Sequence, residues 1–397
     1  MFVMIKSVRL VNFFSFGDCT IDLESDLNVL VGINGSGKSN FLRAFQLLKA
    51  GMDGRLREQI VRMGGINSIL YKGKMKKKSN GALLIFTLDG NKFPLFGNNE
   101  RTDIEYRIFL TKEDNFDSPP VVEMLVLNSG IKLFGAIEPK STSYSGFSKK
   151  SKLSLRKNQE EPYELLLPLL ITRTDYPELA EVARALRGLD IYKLFNTVED
   201  SPMRNSVRAT GVDKLMPNGD NVFQILNIIS LKSIRDYESI EVGLQDVNEY
   251  FQRFRINVYG QGSIEHYLQE KGLETPIHAA QISDGTLCYL CLLVALYQPD
   301  RGNAILFDEP ERNLHPDMLF ELSRQLEKAS EKSQIILTTH APNLLNQFPL
   351  RTVRVFEKDE NNQTVVKKFT EEQFSGWYDE FVPGQMWSNG DLGGNRY

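Results

Sequence analysis

The stretch Leu27-Asn28-Val29-Leu30-Val31-Gly32-Ile33-Asn34-Gly35-Ser36-Gly37-Lys38-Ser39-Asn40 restricts this chain more than any other. A short apolar run leads into a glycine-rich turn, and a helical pattern (Phe41, Leu42, Phe45, Leu48) follows. Strand, loop and helix in that order are the context in which G-x-x-x-x-G-K-S binds a nucleoside triphosphate. Gly32, Gly35 and Gly37 let the backbone turn its N–H groups toward phosphate with no Cβ in the way. The helix beginning near Lys38 adds its positive end. Lys38 brings a cation to the β- and γ-phosphates, and the Ser39 hydroxyl is placed for Mg²⁺. Asn34, Ser36 and Asn40 complete the loop.

Bulk composition narrows the setting. The 397 residues allow two compact units or one large unit with an insertion. With 41% hydrophobic and 25% charged residues the chain reads as an ordinary globular protein. A net charge of −4 argues against a surface that is basic all over, so any nucleic-acid contact must come from local patches. Three cysteines are too few for a disulfide framework, and a reducing cytoplasm is expected. Cys288 and Cys291 form a lone C-x-x-C inside an apolar helical pattern, which points to core packing. The N-terminus has no signal-peptide progression, and no apolar run approaches the length of a membrane span.

Along the chain, Met4 to Phe13 and Thr20 to Glu24 read as paired strands, and the phosphate-loop helix should run to about Lys49, with Gly51 to Gly54 as its stop. From Ala82 to Phe134 the pattern is strand-like and antiparallel, with Ile104, Tyr106, Ile108 and Leu110 on one face. The basic tract at 72–78 and the Ser/Lys/Gly-rich stretch Ser141 to Glu161, with Lys149, Lys150, Lys152, Arg156 and Lys157, read as solvated loops. Tyr163 to Phe195 and Asn221 to Phe254 carry helical periodicity, and Asp220 is the expected cap of the second stretch. Ala304-Ile305-Leu306-Phe307 and Gln334 to Thr339 are apolar enough for parallel strands buried on both faces. The amphipathic helix Asp317 to Lys332 joins them in a crossover unit.

Hydrolysis needs more than a phosphate loop. Asp308-Glu309 ends the first of these strands at its carboxyl edge, where α/β ligands sit. Asp308 is the candidate Mg²⁺ carboxylate and Glu309 the candidate general base. His340, at the end of the next strand, is placed for the γ-phosphate or the water. Ile282-Ser283-Asp284-Gly285-Thr286 makes a second anion-binding helix start, which suits two chains facing head to tail, each capping the other's nucleotide.

This order of motifs (Gly32 to Ser39, Ser283 to Thr286, Asp308-Glu309, His340) resembles the head of an ABC-type ATPase. The opening Val8 to Phe16, with Asn34 to Asn40, resembles the SMC/RecF-like branch. Glu309-Pro310-Glu311 with Leu314-His315-Pro316, Thr338 to Pro342, and Pro383 to Trp387 resemble its stand-alone ATPases and the ATPase part of OLD-family nucleases. The resemblance covers roughly the first 50 and last 120 residues. It implies an α/β P-loop fold: a two-lobed ABC/SMC-like head with a largely helical insertion. The expected segments are a first head lobe at 1–140, a linker and helical insertion at 141–260, and a second head lobe at 261–397. The implied ligands are ATP and Mg²⁺, held between two heads, with Ser283, Asp284 and Gly285 at the partner's nucleotide. The resemblance group also implies a separate effector, often a nuclease, in bacterial anti-phage defence. The chain departs from its group at His315, where transporters carry Asp, and at Phe14, where a basic residue is usual. The alternative is a RecF- or SMC-like DNA-binding maintenance ATPase, with the basic tracts as its phosphate contacts, whose binding would fall steeply with salt. A transporter subunit and a one-chain OLD nuclease are the less expected readings, the latter because little chain follows His340. Asp379-Glu380 reads as a solvated face.

Overall fold

Strand Ile5–Phe13 places Ile5, Val8, Leu10 and Phe13 in the core, and it pairs antiparallel with Phe16–Asp22 on one side and Gly81–Leu88 on the other. The sheet continues through Ile104–Thr111, Val121–Leu127, Lys132–Glu138, Ser141–Ser145 and Lys150–Ser151, eight strands in all. Strict alternation in Ile104–Thr111 buries Ile104, Tyr106, Ile108 and Leu110, as the sequence pattern requires. The computed structural model describes residues 5–74, 79–93, 103–111, 121–127, 132–138, 141–145, 150–151, 164–205, 207–208, 211–259, 263–374 and 382–393.

The chain divides into two compact units: Met1–Leu189 with Arg351–Phe374 and Gly390–Tyr397, and Asp190–Leu350 with Ser375–Asn389. The first unit holds the antiparallel sheet and a second group of strands. There the wholly buried strand Leu27–Val31 runs parallel to Val353–Lys358, which pairs antiparallel with Thr364–Lys368. Helix Lys38–Met52 follows the phosphate loop. Its buried face sets Phe41 edge-on to Phe45 (5.2 Å) and reaches Phe86 of the antiparallel sheet (Phe45, 5.6 Å) and Phe356 (Phe41, 5.9 Å). That face ties the loop to two sets of strands at once. The helix runs through Gly51 to Met52 and stops at Asp53, with Gly54 at φ 70°.

The second unit contains neighbouring strands Leu189–Tyr192, Ala304–Asp308 and Gln334–Thr338. The last two are parallel, with Asp308 opposite Thr338, and helix Met318–Ser330 joins them. Helix Asp284–Tyr297 is buried at every position from Leu287 to Tyr297. Cys288 and Cys291 belong to that core, and burial pushes the Cys288 thiol up to about 12. No cluster of three or more His, Cys, Asp or Glu that could hold a metal occurs among the described residues.

Several expectations need correction. Tyr163 to Phe195 is not helical throughout: helix Pro177–Arg187 is followed by strand Leu189–Tyr192. Asp190 is buried in that strand, accepting from Gly302 N (2.6 Å) and pairing with Lys214 (2.5 Å). A tertiary partner thus overrides local helical preference. Asn221 to Phe254 is broken at Ser233 (φ −149°) into Val222–Lys232 and Ile234–Val247, and a strand starts at Phe251. That strand, Phe251–Tyr259, pairs antiparallel with Ser263–Glu270. Asp220 does not cap the first helix; Asn221 holds that position, and Asp220 accepts from the Asn218 amide (2.5 Å). Part of the expected loop at 141–161 forms strands Ser141–Ser145 and Lys150–Ser151, because neighbouring strands offer backbone partners. Met75 to Lys78, Lys149, Lys152, Arg156, Lys157 and Asp379-Glu380 lie outside the described residues. Among the described residues no helix is long and apolar enough to cross a membrane.

Candidate functional site

The phosphate loop leaves the buried strand at Val31 and turns on three glycines with positive φ: Gly32 (147°), Gly35 (82°) and Gly37 (118°). Two of them are also required by space. A Cβ on Gly32 would lie 2.3 Å from the Phe356 carbonyl oxygen, and one on Gly37 would lie 2.2 Å from Thr364 Oγ1. Gly35 has nothing within 4 Å on that side, so the loop's open flank is there. Lys38 is buried and donates from Nζ to the carbonyls of Gly32 (2.6 Å) and Ile33 (3.2 Å). Ser39, Asn34 and Gly35 are exposed. The Ser36 hydroxyl is buried without a hydrogen-bond partner. An orphaned hydroxyl, an open glycine flank and a helix N-terminus fit a polyanion at this loop.

Thr364, which sequence reasoning missed, holds the loop from behind. Its hydroxyl lies 2.7 Å from the Ser36 carbonyl and 2.8 Å from Ser15 Oγ, which also accepts from Asn40 Nδ2 (2.9 Å). At Phe14, where a cation was expected, the Arg43 guanidinium lies 4.7 Å from the ring centroid and donates to Asn40 (3.0 Å). The positive charge beside Phe14 therefore comes from the phosphate-loop helix.

In the second unit, Asp308 and Glu309 follow four buried apolar residues. Thr338 ties them together: its hydroxyl donates to Asp308 Oδ1 (2.8 Å) and accepts from Glu309 N (3.0 Å). Glu309 sits at φ 55°, a left-handed conformation costing a non-glycine residue about 1 kcal/mol. Its carboxylate is 2.5 Å from Arg312 Nε and 3.5 Å from His340 Nε2. The structure thus brings Asp308, Glu309 and His340 together at the ends of two paired strands.

Glu311, which the sequence marks only within the Glu-Pro-Glu segment, holds the histidine segment. One of its carboxylate oxygens accepts from His340 N (2.9 Å) and Thr339 Oγ1 (2.7 Å), and burial raises its pKa above the ordinary carboxylate value. The spacing Glu-Pro-Glu after an apolar strand was the available signal.

Ser283 caps helix Asp284–Tyr297, accepting from Thr286 N (3.2 Å). Ser283 is exposed, and with Gly285, Thr286, Asn313, His315 and Met318 it borders an open pocket of about 510 Å³. His315 Nδ1 lies 3.1 Å from the Asp317 carboxylate on the exposed rim. Asp284 does not aim freely at that space, because its carboxylate is 2.5 Å from Arg204.

A glycine-built phosphate loop, an Asp-Glu pair closing a parallel strand and a serine-capped helix are features of an ATP-binding and ATP-hydrolysing domain. The family described as "AAA domain, putative AbiEii toxin, Type IV TA system" matches residues 27–346, and the chain belongs to it. A Helicobacter pylori protein named "ATP/GTP phosphatase" is 23% identical over 376 residues, 91% of each chain. Among solved structures, an Smc head bound to the C-terminal winged-helix domain of ScpA superposes with a TM-score of 0.58 at 16% identity, covering 93% of this chain and 99% of that one. The Pyrococcus furiosus Smc head with an extended coiled coil, bound to the C-terminal domain of ScpA, gives 0.56 at 12% identity, covering 95% and 99%. The fold is that of an SMC/ABC ATPase head.

Proposed function

We propose that this protein is a cytoplasmic ATP-driven switch. Two copies enclose ATP head to head, hydrolysis parts them, and the change controls a separate effector protein, which in anti-phage defence would often be a nuclease. The observation that carries this reading is Glu309. Its backbone is held in a left-handed conformation by Thr338, and its carboxylate stands 3.5 Å from His340 at the end of a parallel strand. Such local strain at a strand end supports a catalytic role.

Gly32 to Asn40 cradle the triphosphate through backbone N–H groups, and Lys38 leaves its two carbonyl partners for phosphate oxygens. Ser39 and Asp308 are the residues that would hold Mg²⁺, which would supply charge neutralisation at the phosphates. Glu309 accepts a proton from the attacking water, and His340 stabilises the charge that develops beside it. Ser283 and Gly285 cap the nucleotide of the second copy. The Type IV toxin–antitoxin description of the family supports an effector setting, and the ScpA-bound Smc heads support a protein partner. Contact with DNA stays a secondary reading.

A general base contributes about 10²- to 10⁴-fold in rate. Glu309→Gln should therefore accumulate an ATP-bound dimer, whereas Lys38→Ala should weaken binding itself. Light scattering with and without ATP and Mg²⁺ tests this. An E309Q protein of unchanged mass under saturating nucleotide rules the switch out.

A further inference from the structure

One buried guanidinium accounts for the shape of the segment that carries Ser283. Arg204 is only 7% exposed and uses all five of its N–H donors. Nε and Nη2 donate to the Thr197 carbonyl (3.0 and 2.9 Å), Nη1 to the carbonyls of Ala280 (3.0 Å) and Ile282 (2.7 Å), and Nη2 also to Asp284 Oδ1 (2.5 Å). Ser283 lies between two residues gripped by the same rigid group. The Ile282 grip fixes the turn entering the helix, and the Asp284 grip fixes its first residue.

We infer that Arg204 is the positioning residue for the Ser283–Gly285 loop, and that Asp284 is its anchor rather than a contact for nucleotide. The inference rests on the capping reading above and names what makes the cap competent. A carboxylate one residue from Ser283 opposes an arriving triphosphate; paired with Arg204 it is neutralised and held aside. Donors held in place before the anion arrives need no reorganisation when it does. Arg204 also ends the short turn Pro202–Arg204, and Val207–Arg208 just beyond pairs with Ser263 and Ile264. The loop's geometry is thereby linked to the small sheet built on Phe251–Tyr259 and Ser263–Glu270.

The test compares Arg204→Lys, Asp284→Ala and Ser283→Arg in the full chain. Protomer binding of a fluorescent ATP analogue is read at low protein concentration, and ATP-dependent dimerisation by light scattering. Lysine keeps the charge but cannot reproduce a planar five-donor fork. R204K should weaken ATP-driven dimerisation about tenfold, the equivalent of one or two lost charge-assisted bonds. Protomer affinity for the analogue should stay within about twofold, a split that general loss of structure does not produce. D284A, at an exposed helix start, should weaken dimerisation in the same direction, whereas removing a repelling nucleotide contact would strengthen it. S283R should abolish dimerisation. If S283R abolishes it while R204K and D284A dimerise as wild type, the positioning role is overturned and the capping reading stands. If S283R dimerises normally, both fall together.

Discussion

Replacing Glu311 with alanine should cut turnover while leaving nucleotide affinity in place. The carboxylate holds two donors of the histidine segment, His340 N at 2.9 Å and Thr339 Oγ1 at 2.7 Å. Thr339 Oγ1 in turn accepts from Ala341 N (3.0 Å), so three consecutive residues hang on one side chain. Each buried donor left without an acceptor costs about 1–3 kcal/mol. Water recovers part of that at a half-buried site, and a net loss of about 2 kcal/mol lowers the population of the ordered segment about 30-fold. His340 then no longer stands 3.5 Å from Glu309. The expected result is a kcat at least about tenfold lower with KM for ATP within about twofold. Phosphate release across an ATP titration measures both, with thermal unfolding as the control for folding. Glu311→Gln keeps an acceptor oxygen and should stay within about threefold of wild-type kcat. The glutamine also carries a pH signature. Burial raises the Glu311 pKa above the ordinary 4.5, so its contribution to stability is complete below that pH and is lost as pH rises through the folded-state value. E311Q should lack this decline. An alanine variant with wild-type kcat, or one altered only in KM, refutes the reasoning.

Two further expectations concern single residues. Gly37→Ala places a Cβ 2.2 Å from Thr364 Oγ1 at φ 118° and should cost about 3 kcal/mol or more, whereas Gly35→Ala meets open space and should cost about 1 kcal/mol; thermal unfolding separates them. His266 is buried against Phe223 (4.7 Å), and burial lowers its pKa from 6.5 to about 4. Its stabilising contribution is present above pH 6.5 and lost as pH falls toward 4, up to about 3 kcal/mol. Urea midpoints at pH 7.5 and 5 should therefore differ more for wild type than for His266→Phe.

The amino-acid sequence by itself determined the parts whose physical demands are local. Gly32, Gly35 and Gly37 had to be glycines because of backbone angles set within the loop. Leu27–Val31, Ala304–Asp308 and Gln334–Thr338 were readable because a strand buried on both faces is apolar throughout. Alternation in Ile104–Thr111 and the capped start at Ser283 were likewise written in neighbouring residues. Only the tertiary structure decided what depends on residues far apart in the chain. Glu311 meets His340 across 29 positions, Arg204 meets Asp284 across 80, and Thr364 meets the phosphate loop at Ser36 across 328. No period or spacing encodes such pairs, since each forms only after the strands and helices have packed. The same reason explains Leu189–Tyr192, a four-residue strand whose character comes from its partner rather than from its own pattern.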